Sequence, residues 1–355
     1  MDKVSPPLTT DICNSKYYYR QSNIELLRIV AMFMVLILHS GFSAVKGPTT
    51  SDVHLHFIQP FTRFLFESLS ISCVDTFVLI SGWFGIRPTK RGLCNFLFQV
   101  FYFIAGIYLI MVLCGLAPLS FKGIASCFLF IPDYDYWYVR TYLLLFIISP
   151  VLNSFVDSVD KRIFRNVLIG FFLFQTIYAW GYVAVNAFAG GYSTISFIGL
   201  YLLARYVKTY EPSWAKMRVL NDVLIIIGCI VLMAFISYGT AYLGHPMAGK
   251  FCGSYICPLV ILLAIYMVIA FSKLKIQSRF VNWVAASCFA VYLLHTHITI
   301  FYDYFKPTIA RLYSNFDGLF CLAAIGLFLL VVFSLSVLLD QPRKWLWNGL
   351  IRAFN

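Results

Sequence analysis

The sequence predicts an all-α protein, a polytopic bundle of about ten transmembrane helices with both termini on the cytoplasmic side. Three observations predict it. Hydrophobic residues make up 61% of the 355 and charged residues only 12%, about half the charged share of an ordinary soluble domain. Stretches without any Asp, Glu, Lys or Arg run over 92–121, 166–204, 223–249, 251–272, 280–302 and 318–339. Runs of that length and apolarity read as helices crossing a bilayer, because an open sheet cannot satisfy its backbone in lipid. The third observation is that the basic residues alternate from side to side between these runs.

The spans are expected at about 23–43, 61–83, 93–114, 136–156, 163–185, 191–207, 219–243, 254–272, 283–301 and 317–339. With the N-terminus inside, 20 of the 27 Lys and Arg residues fall on the cytoplasmic side, and every cytoplasmic loop is richer in them than its outer neighbours. That accounts for the formal net charge of +12 by topology, so no nucleic-acid partner is expected. Residues 1–22 read as a cytoplasmic tail, 23–342 as one membrane domain and 343–355 as a second tail. The connection from Gly115 to Asp135 is mildly apolar and reads as an interfacial or re-entrant piece. The ten cysteines show no CxxC spacing and read as small buried hydrophobes. Cys252 and Cys257 flank the outer end of span eight and could pair.

The first span carries the strongest chemical signal. Between Ile24 and Phe42 an apolar helix includes Glu25, Arg28 and His39, and ionisable groups within a span are expensive unless they face protein or a wet cavity. Arg28 and His39 are eleven residues apart, about three turns plus ~20°, so they share a face ~16 Å apart along the axis. Span two adds Asp75 and the pair Ser81-Gly82. Asp75 stands ~12 Å from the inner boundary and Arg28 ~6 Å, so an Arg28–Asp75 ion pair is feasible with long side chains, and an Asp75–His39 contact is less so. That pair either serves a site or simply locks the two spans together. Gly82 lets a ligand or another backbone approach closely. Span four opens on Asp133-Tyr134-Asp135-Tyr136-Trp137-Tyr138 at the outer interface, where rings and carboxylates either bind sugar or form an aromatic belt. Span nine places Cys288, Tyr292 and His295 on one face, with His295 near the depth of His39; His297 points elsewhere. No His, Cys and carboxylate set has ligand spacing, so no metal is expected.

Taken together, Arg28-x10-His39 within Leu-Arg-Ile-Val-Ala, Val74-Asp75-x-Phe77-x-Leu79-x-Ser81-Gly82, Trp137-Tyr138, Ser149-Pro150-x-Leu152-Asn153, Ser287 to His295 and Asp340-Gln341-Pro342 resemble acyltransferase family 3. This is a family of integral membrane proteins, and the resemblance covers residues 22–342. It departs in one motif position, Asp340, where Glu is common, and in lacking an extracytoplasmic hydrolase-like domain. The resemblance implies a bacterial, multi-pass protein of the cytoplasmic membrane. Such a protein would move an acyl group, mostly acetyl, from cytoplasmic acetyl-CoA to a hydroxyl of a surface polysaccharide or its lipid-linked precursor. It implies catalytic roles for Arg28 and His39. Alongside it, the residues themselves suit His39 as a base, because imidazole titrates near neutral pH, and Arg28 as a ligand for the phosphates of coenzyme A. Asp75 and His295 join them as catalytic candidates. Ser81, Arg87 and Arg205 are further donor-binding candidates, and Trp137, Tyr138 and Asp135 are candidates for the acceptor. Besides acyl-CoA and the glycan, membrane lipids are the expected partners. The competing reading of the same ionisable residues is a transporter or flippase that uses them as a proton relay.

Overall fold

The computed structural model describes residues 21–129, 136–181, 186–245 and 252–354. Among these residues every regular element is helical and no strand occurs. Seven stretches are long and apolar enough to cross a bilayer: Ser22–Ser40, Ile58–Phe84, Lys90–Leu113, Trp137–Ser158, Lys161–Gly181, Val219–Tyr242 and Gly318–Arg352. An eighth is a bent pair, Arg279–His295 with Ile300–Asn315, folded by 82°.

About ten spans were expected, and in three places the helices found differ from them in length or continuity. The segments expected at 191–207 and 254–272 are helices Thr194–Tyr210 and Pro258–Ser272, of 17 and 15 residues. They cover about 22–26 Å, less than the ~30 Å hydrocarbon core. Both are wedged between other helices. The segment expected at 283–301 breaks at Ala286-Ser287 into Arg279–Ala285 and Cys288–His295. Between Gly115 and Asp135 the described residues include a short helix, Phe121–Leu129, packed on Lys90–Leu113.

In chain order the helices that position the site are α1 (Ser22–Ser40), α2 (Thr50–Leu55), α3 (Ile58–Ser70), α4 (Cys73–Phe84), α5 (Lys90–Leu113), α6 (Phe121–Leu129), α7 (Trp137–Ser158), α8 (Lys161–Phe174), α9 (Thr194–Tyr210), α10 (Val219–Tyr242), α11 (Pro258–Ser272), α12 (Arg279–Ala285), α13 (Cys288–His295), α14 (Lys306–Asn315) and α15 (Gly318–Phe354). Helix α1 is the central post and packs on α3, α4, α11, α12, α13 and α15. Its Ile24, Leu27, Ala31 and Leu36 are fully buried.

At the break between α3 and α4, Ser70 Oγ donates to Phe66 O (2.6 Å), Ser72 Oγ to Leu69 O (3.4 Å) and Thr76 Oγ1 to Ser72 O (2.8 Å), so the buried hydroxyls find backbone acceptors. Where α4 crosses α9, Gly82 is required: a Cβ there would lie 2.5 Å from Tyr201 O and 2.9 Å from Ala204 Cβ. The glycine admits a neighbouring backbone. Just beyond, Asn153 of α7 holds the turn after α4. Its Nδ2 donates to Ile86 O (2.8 Å), and its Oδ1 accepts from Tyr201 OH (2.6 Å), which in turn accepts from Ile86 N (3.0 Å). The Ser149 to Asn153 motif is thus a clamp that fixes α4 against α7 and α9.

Candidate functional site

Helices α1, α4, α5, α7, α12 and α13 enclose a cavity of about 280 Å³. At the end where α1 begins, its wall includes Arg28, Ser81, Asn95, Gln99 and Cys288; toward the other end it includes His39, Trp137, Tyr138 and Tyr255. The first is the basic end and the second the far end. Arg28 and His39 both face this cavity, as their shared helical face requires. Of the remaining predicted residues, the structure brings Ser81, Trp137 and Tyr138 to the same wall. Arg87 is exposed and Arg205 lies beside Gly85, 4.0 Å from Asp157, and neither lines the cavity. Asp135 lies outside the described residues.

The Arg28–Asp75 ion pair that the sequence allows does not form. Arg28 Nη1 instead meets Glu25 Oε2 at 2.8 Å. One turn along the same helix, Glu25 is already in reach, and an i, i+3 pair needs no second element to be held in place. Asp75 is 1% exposed, and neither carboxyl oxygen has a hydrogen-bond partner among the described residues. Its neighbours are Cys257 and Tyr255, toward the far end. Asp75 sits in the first turn of α4, and Cys257 caps the start of α11.

At the far end two imidazoles touch. His39 Nδ1 and His295 Nε2 are 2.8 Å apart, and His295 Nδ1 lies 2.5 Å from Val291 O. A carbonyl can only accept, so His295 Nδ1 carries a hydrogen. In the neutral pair, His295 Nε2 then accepts from His39 Nδ1–H, which leaves His39 Nε2 as the free lone pair on the ring that lines the cavity. The tautomer of His39 is set from the backbone of α13. Cys288 and Tyr292 line the cavity on the same helix. His295 lies behind His39, 1% exposed, and buried His297 lies off the cavity wall.

Rings continue the far wall. Trp137 meets Tyr192 (4.4 Å), Tyr138 (6.0 Å) and Tyr255 (6.0 Å, stacked), and Tyr138 meets Tyr142 (5.8 Å) and Tyr292 (5.9 Å). Tyr192 and Tyr255 come from segments between helices, where no periodicity announces a side chain's direction. Cys252 and Cys257, beside Tyr255, are both free thiols.

The basic end is closed by a network that starts from the last motif. Asp340 is fully buried and accepts from Arg343 (2.9 and 3.1 Å) and from Gln99 (3.3 Å), with Lys344 at 3.5 Å. Arg343 also donates to Asn95 Oδ1 (3.1 Å), and Lys344 to Ser287 Oγ (2.6 Å) at the break between α12 and α13. Arg343 and Lys344 escaped the sequence reading, which ended the membrane domain at residue 342. The signal was present: Lys344 lies four residues from Asp340 and Arg343 three, the helical spacing of ion pairs. Among the described residues no group of His, Cys, Asp and Glu is arranged to hold a metal ion.

A family model described as an acyltransferase domain matches residues 21–339. Neither a curated protein nor a solved structure matches the chain.

Proposed function

The chain belongs to acyltransferase family 3, and from that premise we propose that it carries an acyl group, acetyl in the simplest case, from cytoplasmic acyl-CoA to a hydroxyl of a cell-surface glycan or its lipid-linked precursor. The observation that carries the reading is the His39–His295 contact, which leaves one imidazole nitrogen as a base facing a cavity that also holds Arg28.

The chemistry follows from these groups. His39 Nε2 takes the proton as the acceptor oxygen attacks the thioester carbonyl. The carbonyl oxygen gathers negative charge and needs donors, for which the hydroxyls of Tyr138 and Tyr142 stand on the same wall. The C–S bond then breaks, and the leaving thiolate recovers the proton from His39. His295 positions the base and spreads the charge of the imidazolium through Nε2. Arg28, nearer the basic end, takes a phosphate or carbonyl of the donor arm. Trp137 and Tyr255 offer flat apolar faces to the sugar ring. The basic end is the cytoplasmic one on the charge distribution, so donor and acceptor approach His39 from opposite ends of one cavity. The membrane is taken to be the bacterial cytoplasmic membrane.

Membranes containing the protein, supplied with acetyl-CoA labelled in the acetyl group, test this directly. Label is expected on glycan, and to vanish with His39→Ala. Label that reaches glycan equally without the protein contradicts the proposal.

A further inference from the structure

At the basic end a second, larger pocket of about 1080 Å³ opens between the start of α1 and the ends of α4, α9 and α11. Its wall carries Lys208, Lys216, Lys273 and Lys275, with Asn23 and Trp83 among the remaining lining residues. Two of these cations are matched by acids: Lys216 pairs with Glu211 (3.3 Å) and Lys273 with the buried Asp222 (2.5 Å). Lys208 and Lys275 have no carboxylate in ion-pair range among the described residues, and Lys208 lies 4.8 Å above the Trp83 ring. Trp83 is 8% exposed, and its indole N–H has no hydrogen-bond partner among the described residues. A buried donor without a partner is costly, so the pocket holds uncommitted positive charge next to an uncommitted donor.

We infer that this pocket seats the nucleotide of the acyl donor, with phosphates on Lys208 and Lys275 and the Trp83 N–H bonded to a phosphate or ribose oxygen. The inference rests on the acyl-CoA reading above and goes further by giving the donor's phosphates a site away from the reacting atoms. Lysine suits phosphate as a point charge. Two helices link this pocket to the cavity. Helix α1 contributes Asn23 here and Arg28 there, about 7.5 Å apart along the axis; helix α4 contributes Trp83 here and Ser81 there. From Arg28 to His39 the axial distance is about 16 Å, a length that an extended pantetheine chain covers once its phosphates stand at the basic end. Arg87 and Arg205 are not among the residues that line this pocket.

Two measurements test it. Purified protein is titrated with adenosine 3′,5′-bisphosphate, and kcat/KM is compared for acetyl-CoA and for S-acetylpantetheine, which lacks the nucleotide. Saturable binding of the bisphosphate is expected, weakened about tenfold or more by Lys208→Gln with Lys275→Gln. The ratio of kcat/KM for acetyl-CoA to that for S-acetylpantetheine is expected to fall by a similar factor. Trp83→Phe, which keeps a ring and removes only the donor, should lower the ratio less. An unchanged ratio, or bisphosphate binding that ignores the lysines, overturns the inference. So does displacement of the bisphosphate by phosphatidylglycerol micelles with the ratio unchanged, which would mark a lipid-headgroup site. If the bisphosphate binds through these lysines and neither donor is ever turned over, the nucleotide site stands and the acyl-transfer reading fails.

Discussion

At its basic end the cavity is bounded by ions that meet other ions: Arg28 with Glu25, and Arg343 and Lys344 with Asp340. At its far end the boundary consists of two imidazoles in contact and a wall of tyrosines and tryptophan. The difference follows from what each end must hold in place. Where several cations enter the protein, each needs a carboxylate, because an uncompensated buried charge is costly. Where the proposed reaction moves a proton, a neutral pair whose donor and acceptor roles are set by the backbone of α13 presents a base without a fixed charge. Charge holds the basic end together, and hydrogen-bond direction organises the far end.

The largest effect expected from breaking this division is at His39. His39→Ala should lower acyl transfer by about 10²–10⁴-fold while donor affinity, read by titration with a non-hydrolysable acyl-CoA analogue, stays near wild type. A loss of affinity equal to the loss of turnover would place His39 in binding rather than in proton transfer. Next comes Asp340→Ala, which leaves Arg343 and Lys344 without their shared carboxylate. Its expected cost is about 3–5 kcal/mol of stability, read as a lowered thermal midpoint in detergent. An unshifted midpoint would mean that the ion network does not hold the basic end.

Trp137→Ala removes the ring that joins Tyr192, Tyr138 and Tyr255. Its contribution beyond area burial is about 0.5–1.5 kcal/mol, so the KM for the glycan should rise several-fold while that for acyl-CoA stays constant. A rise confined to the donor would reverse the assignment of the two ends. The smallest effect is expected for Asp75→Asn. With no cation bonded to this carboxyl among the described residues, the amide of equal shape should cost about 0.5–1 kcal/mol. A loss as large as that of Asp340→Ala would restore the ion pair that the sequence suggested.

The two ends also differed in how well they could be read from the sequence. Arg28 and His39 were legible because both lie on one helix, where spacing fixes direction. The helical class was equally legible, since uncharged runs of that length leave no other structure in lipid. Three segments expected as full spans are shorter or broken helices, because apolar composition does not fix where a helix starts, stops or bends; α11 is the plainest case. The partner of Arg28 was misassigned to Asp75 by comparing depths across two helices, when Glu25 one turn away had the shorter reach. The His39–His295 contact could be anticipated as similar depth but not as a bond, since the relative rotation of α1 and α13 is set by their packing. Tyr192 and Tyr255 were not foreseen at all, lying in connections whose course depends on the helices around them.

The central claim is that one cavity joins a donor at the basic, cytoplasmic end to an acceptor at the far end. Sealed inside-out vesicles containing the protein, with purified surface glycan trapped in the lumen and more of it outside, test this most directly. Acetyl-CoA labelled in the acetyl group is added to the outside only. The account predicts label on the trapped glycan, lost in vesicles carrying His39→Ala. Label on the external glycan alone would contradict it and place both substrates at the cytoplasmic end.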